Sequence, residues 1–198
     1  PLSAVTYRTI INVCGKGKDL AKAKELYQEM METLGDEKDI RNCNVMLNAY
    51  SENVTDDTAE QVYEEALKLF NEAKSGGLEP DIHTYSFLMR LCGRSGRKEE
   101  ALEYLAEAKK LKDSPRLTQY DIMIECIGEM QLPDEQETAE LISVFKHMGT
   151  NDVRPSALTY DTLLTVMSEK GKTTKFLEVL DKLEEEGLSK GGAALGGR

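Results

Sequence analysis

The sequence has no apolar run near the about 18 residues that a membrane-spanning helix needs, so a transmembrane α-helix is not expected. Its four cysteines, Cys14, Cys43, Cys92 and Cys126, stand far apart, without the close pairs of a zinc site or a thiol redox motif. The simpler reading is a reduced compartment in which each thiol is a small core residue. Glycine and proline, 15 and 5 of 198 residues, are too few for a disordered chain, and no segment is low in complexity. Basic residues are also in deficit, with 25 Lys and Arg against 36 Asp and Glu and a net charge of −11. Phosphate neutralisation supplies much of the affinity of nucleic-acid binders, and the composition does not announce a basic face. Only two histidines occur, His83 and His147, with no Ser or Cys arranged beside them for nucleophilic work and no His–carboxylate metal set. Nothing in the residues calls for catalysis, a cofactor or a small-molecule substrate.

What is present is a repeat. In "TYSFLMRLCGRSGRKEEALEYLAEAKK", residues 84–110, Tyr85, Leu88, Met89 and Cys92 fall on one face of a helix. Ala101, Tyr104, Leu105 and Ala108 do the same after a turn at Gly96. Tyr7, Ile10, Ile11 and Cys14, then Ala23, Leu26, Tyr27 and Met30, form an earlier copy. Three further sets open with Cys43, Tyr120 and Tyr160. The units are 4–39, 40–81, 82–116, 117–156 and 157–191, on a base period of about 35 residues. Pro80, Pro115 and Pro155 stand next to last in three of them, where proline stops a second helix and starts an extended step. A hairpin this short cannot bury both faces alone, so the units must stack. The expected fold is all-α, an α-solenoid (right-handed superhelix) of helix–turn–helix repeats.

The chain opens on Pro1 with no basic, apolar leader, so a processed form or a fragment is expected, its targeting segment lying outside. Pro1 also stands near the place of the other turn prolines, as the tail of a preceding unit would. At the other end "GLSKGGAALGGR" has no periodicity, and a flexible tail is expected at 192–198.

The "TY" openings at Thr6-Tyr7, Thr84-Tyr85 and Thr159-Tyr160 carry a family resemblance. So do "CGKGK" and "CGRSGR" before second helices, "EEALKLF" and "EEALEYL" within them, and "GLEPD" at a unit's end. Together these resemble the pentatricopeptide repeat over about residues 4–191; the 34-residue tetratricopeptide pattern fits less well. The resemblance implies a mitochondrial or chloroplast protein that binds single-stranded RNA along a concave face, one base per repeat. It implies reading pairs Arg8 with Asp39, Asn44 with Asp81, Ser86 with Arg116, Asp121 with Ser156 and Asp161 with Gly191. Only Asn44 with Asp81 matches a family combination, one that favours uracil. The family commonly places a phosphate-facing lysine eight residues beyond the first reading residue; here that place holds Lys16, Glu52, Arg94, Glu129 and Glu169. Arg90 and Arg94 join Lys16 as phosphate candidates, and the three carboxylates predict weak RNA binding. His83 is a groove residue that stacks on a base if RNA binds.

Both long units grow between their helices, with Glu52, Asp56, Asp57, Glu60, Glu64 and Glu65 in one and Glu129, Asp134, Glu135, Glu137 and Glu140 in the other. The simpler reading is that acids favour second-helix N-termini, with Asp56 or Asp57 and Asp134 as N-caps. The sharper reading is an acidic rim for a basic protein partner. "CGKGK" and "CGRSGR" lack the preceding strand and Lys-Ser/Thr ending of a phosphate loop and are read as inter-helix turns. Two functions stay open: a non-catalytic RNA-binding adaptor, and a scaffold subunit of an organellar assembly. Peptide capture by a cationic groove is the weakest alternative.

Overall fold

The computed structural model describes residues 2–35, 39–111, 117–130, 132–169, 173–185 and 187–188, and among them it is all-α. Its helices are α1 (Ala4–Lys16), α2 (Leu20–Leu34), α3 (Ile40–Glu52), α4 (Ala59–Ser75), α5 (Ile82–Arg94), α6 (Lys98–Lys109), α7 (Leu117–Glu129), α8 (Asp134–Thr150), α9 (Ala157–Glu169) and α10 (Thr173–Glu185). None of them is long and apolar enough to cross a membrane. The chain divides into two units, Pro1–Ala108 and Lys109–Arg198. In the first, α1, α3 and α5 lie side by side, with α2 packed on α1 and α4 on α3. In the second, α7 lies beside α9, with α8 on α7 and α10 on α9. This is the helical-repeat arrangement the 35-residue period predicts.

Helices α1, α3, α5 and α9 start where a short polar side chain meets an unpaired amide. Ser3 accepts from the Thr6 N–H at 3.2 Å, Asp39 from Arg41 at 2.9 Å, Asp81 from Thr84 at 2.8 Å and Ser156 from Thr159 at 3.3 Å. Each such cap contributes about 1 kcal/mol. α5 ends in a left-handed residue, Gly96 with φ 71°, which lets the Arg97 N–H reach the Cys92 carbonyl at 2.9 Å. α1 ends the same way with Lys18 (φ 62°) and a bond from Asp19 N to Cys14 O at 3.0 Å. "CGKGK" and "CGRSGR" are therefore helix ends and turns.

The predicted apolar faces form the core. Tyr85, Leu88, Met89 and Cys92 are buried, as are Tyr7, Ile11, Ala23, Leu26 and Met30. Burial of each large aliphatic side chain contributes about 1.5–3 kcal/mol. Several face positions, among them Ile10, Cys14, Tyr27 and Tyr104, are half-buried rather than core, and Leu164 keeps 39% of its surface. All four cysteines are free, and burial pushes the Cys43 and Cys92 thiols up to about 12, which leaves them protonated and inert.

Eight residues after the tyrosine that opens each first helix (Cys43 in the second hairpin) stand Gly15, Ser51, Gly93, Gly128 and Ser168. Small residues there let neighbouring first helices approach. A Cβ on Gly15 would lie 2.9 Å from the Ala49 Cα.

The acidic turns differ from expectation in detail. Asp56 and Asp57 do not cap α4, whose N-cap is Thr58, and Asp134 lies inside the first turn of α8, with Pro133 as N-cap. Each helix is one residue or more out of step with the carboxylate that was to cap it. The dipole argument survives, because Asp134, Glu135 and Glu137 occupy that first turn. Part of the rim is internally paired: Glu60 with Arg97 and Glu65 with Lys24. The Arg97 guanidinium also lies 4.1 Å from the centre of the Tyr63 ring.

Candidate nucleic-acid interface

On each first helix the residue after the opening tyrosine and those four and eight further on form one ridge. In residues 1–108 the ridges of α1 and α3, with His83 and Phe87 of α5, border a groove of about 440 Å³, lined among others by Arg8, Asn12, Arg41, Asn44 and Asp81. His83 stacks on Phe87 with ring centres 6.5 Å apart, and Asn48 donates to Asn12 at 3.1 Å across α1 and α3.

Two of the expected reading pairs are in contact. Asn44 Nδ2 donates to Asp81 Oδ1 at 3.0 Å, although 37 residues separate them. Asn44 Oδ1 accepts from the Thr84 hydroxyl at 2.7 Å, so both ends of the amide are engaged in a nearly dry site. Arg8 Nη1 donates to Asp39 Oδ2 at 3.2 Å and to Asn42 Oδ1 at 2.8 Å. Arg41 grips the same carboxylate, with Nη2 2.6 Å from Oδ2, and its hydrogen bonds together with its charge hold the Asp39 carboxyl below its usual range. Asp39 and Asp81 thus serve twice, as helix caps and as partners of a groove side chain.

Ser86, Arg90 and Arg94 have contacts of their own. The Ser86 hydroxyl turns back to the His83 carbonyl at 2.8 Å and the residue is 2% exposed, so it does not stand open in the groove. A short hydroxyl in a helix meets its own preceding turn more readily than anything across a groove. Its expected partner Arg116, like Gly191 and the tail 192–198, lies outside the described residues. Arg90 and Arg94, expected to face phosphate, face Glu52 at 3.5 and 3.6 Å, with Lys18 at 3.9 Å. Arg94 also donates to the Ser51 carbonyl at 2.5 Å. Glu52, expected to repel phosphate, is instead neutralised by the next hairpin's cations. Lys16 is exposed at the end of α1.

The sequence reading missed this Glu52 cluster and Thr84. Writing the ridges of adjacent units side by side gives the signal for the first, because Glu52 then stands opposite Arg90 and Arg94. For the second the signal is the "TY" threonine itself, treated only as a family mark.

Residues 109–198 contain a second groove, of about 370 Å³, with a different charge. Glu125, Glu129 and Asp161 line it, and among the described residues no lysine or arginine does. Asp121, one turn before Glu125, is 7% exposed, and its Oδ1 has no hydrogen-bond partner among the described residues. No group of three or more His, Cys, Asp or Glu among those residues is placed to hold a metal.

The family model described as the pentacotripeptide-repeat region of PRORP matches residues 3–190. A pentatricopeptide repeat-containing protein of Arabidopsis thaliana is 24% identical over 185 residues, which cover 91% of this chain and 30% of that protein. A second, chloroplastic one from the same plant is 23% identical over 183 residues, 92% of this chain and 34% of its own length. The chain therefore spans about a third of the relatives it matches. Among solved structures, the pentatricopeptide repeat protein PPR10 in complex with an 18-nt psaJ RNA element superposes with a TM-score of 0.64 at 21% identity. That match covers 94% of this chain and 29% of PPR10, and it shows a shared fold. The chain belongs to the pentatricopeptide-repeat family.

Proposed function

We propose that this chain is a non-catalytic adaptor that holds a short single-stranded RNA in the groove of residues 1–108 and acts in organellar RNA metabolism. The observation that carries the reading is the Asn44–Asp81 contact at 3.0 Å within that groove. An amide held by a carboxylate presents a donor and an acceptor to a base edge. The RNA-bound PPR10 and the chloroplastic relative support the ligand class and the organellar setting. Intrinsic affinity is weak at physiological salt, because few groove cations are available for phosphates while ion pairs hold Arg8, Arg90 and Arg94.

Fluorescence anisotropy with a pool of short single-stranded RNAs at several salt concentrations tests this. Affinity should fall with salt, Lys16→Glu should weaken all sequences alike, and Asn44→Ala should relax preference at one nucleotide. No binding even at low salt would sink the reading.

The second groove favours another activity for residues 109–198. The three carboxylates Glu125, Glu129 and Asp161 that line it repel phosphate and suit a basic protein segment, as a scaffold subunit would need. A short Lys- and Arg-rich peptide should bind the wild type and lose affinity for the double variant Glu125→Lys, Asp161→Lys. The same charge change at exposed Asp56 and Asp57 should leave binding nearly unchanged, and equal losses in both variants would reduce the groove to non-specific charge attraction.

A further inference from the structure

We propose that Thr84 is a specificity-determining positioning residue: its hydroxyl fixes which way the Asn44 amide points and thereby which pyrimidine edge the groove accepts. The inference rests on the RNA reading above. Thr84 is fully buried at the start of α5, one residue before the tyrosine. Its Oγ1 donates to Asn44 Oδ1 at 2.7 Å and accepts from the Asp81 N–H at 3.1 Å, while its own N–H donates to Asp81 Oδ1 at 2.8 Å. Asp81 Oδ1 in turn accepts from Asn44 Nδ2 at 3.0 Å. The Thr84 hydroxyl proton has a second acceptor in reach, Asp81 Oδ1 at 3.0 Å, and its shorter contact, to Asn44 Oδ1, gives each end of the amide a partner within one closed set.

The consequence follows from donor and acceptor counting. A side-chain amide has two N–H donors and two lone pairs on its carbonyl oxygen. Thr84 uses one lone pair and Asp81 one N–H, which leaves one acceptor and one donor at fixed ends. Uracil offers an acceptor, O4, beside a donor, N3–H; cytosine offers a donor, N4–H, beside an acceptor, N3. The two patterns are exchanged by a half-turn of the amide. An amide that turns freely meets either base, whereas a pinned one meets only one of them. The amide is one rigid plane, so a half-turn breaks the Asp81 bond at its nitrogen and the Thr84 bond at its oxygen together, and Thr84 supplies the second of these two restraints. Thr84 holds that oxygen, and its 2.7 Å bond is the shortest in the set. Asn44 is 7% exposed, so water cannot readily replace the lost partner.

The test uses the full chain with single-stranded RNAs that differ only by U or C at one position at a time, read by competition anisotropy. The wild type should discriminate at one position by about tenfold, in the range of one well-placed bidentate contact. Thr84→Val, which keeps the shape and removes the hydroxyl, should lower that ratio about threefold, the effect of one lost hydrogen bond, while the salt dependence stays as in the wild type. Thr84→Ser, which restores the hydroxyl, should recover discrimination, an outcome that simple packing by the threonine methyl would not give. Because Thr84→Val also removes part of the α5 cap, nitrogen-15 NMR of the free protein supplies a readout without RNA. Solvent exchange of the Asn44 side-chain amide protons should speed up in Thr84→Val and return toward wild type in Thr84→Ser. Full discrimination in Thr84→Val, or unchanged Asn44 exchange, overturns the proposal and leaves the RNA reading standing. Wild-type binding without any pyrimidine preference overturns it likewise, and a wild type that binds no RNA overturns both.

Discussion

Gly128 in α7 faces Val166 in α9 so closely that a Cβ on the glycine would fall 2.5 Å from a Val166 methyl carbon. The valine is buried and β-branched, so it has little room to turn aside. Gly128→Ala should therefore cost about 1–3 kcal/mol despite alanine's better helix propensity. A thermal melt checks it, and an unchanged or raised Tm would show that α7 and α9 part without penalty.

Glu52 holds two arginines of the next hairpin. Partly exposed pairs of this kind contribute about 0–1 kcal/mol each, little enough for phosphate to compete. Under the RNA reading, Glu52→Gln should raise affinity several-fold and steepen the salt dependence by roughly 0.7, the effect of one added cation on a single strand. If titrations at several salt concentrations show no change in slope, Arg90 and Arg94 do not reach the RNA.

Asp152 follows α8 with φ 56°, in the left-handed region that suits glycine. Val153 N reaches the Met148 carbonyl at 3.0 Å across it, so the backbone shape is set by the helix end and not by the aspartate. Asp152→Gly should stabilise the protein by about 0.5–1 kcal/mol, visible as a higher denaturant midpoint.

His147 accepts or donates at 3.1 Å to the Tyr120 hydroxyl and lies near Asn151 and Lys109. Burial, aided by the Lys109 charge, lowers its pKa below the usual 6.5, against an opposing hydrogen bond to the Lys109 backbone. The neutral ring is thus preferred in the folded state, and the unfolded chain takes up the proton first as pH falls. Stability from this site is full above about 6.5 and is lost as pH drops through the lower folded value. Melts between pH 7.5 and 5 should show a loss that is smaller in His147→Gln; identical pH profiles for the two proteins would rule the site out.

The period-35 pattern made the helices, their buried faces and the ridge positions legible, because each is a local property of one hairpin. Tyr85, Leu88, Met89 and Cys92 needed nothing but spacing. The electrostatic state of the ridges was not legible in the same way. Glu52 and Arg94 are each on the predicted face, but whether they repel phosphate or satisfy each other depends on contacts between hairpins. The second groove is the contrary case: Asp161 and Glu129 read as carboxylates on the RNA-facing positions in the sequence and stand as carboxylates lining a cavity in the structure. Small residues such as Gly128 were passed over because an amphipathic pattern scores what is large and apolar, while helix spacing depends on what is absent.

The double use of Asp39 and Asp81 limits how such a chain can be rewritten. Each closes one repeat and caps the helix of the next, so under the RNA reading its identity answers to folding as well as to ligand choice. The alphabet open at that place is the capping alphabet of Asp, Asn, Ser and Thr, and a change to lysine there should forfeit about 1 kcal/mol before any nucleotide is met. Retargeting by design is then confined to a few letters at one member of each pair, and its partner on the helix face has to supply the remaining variety.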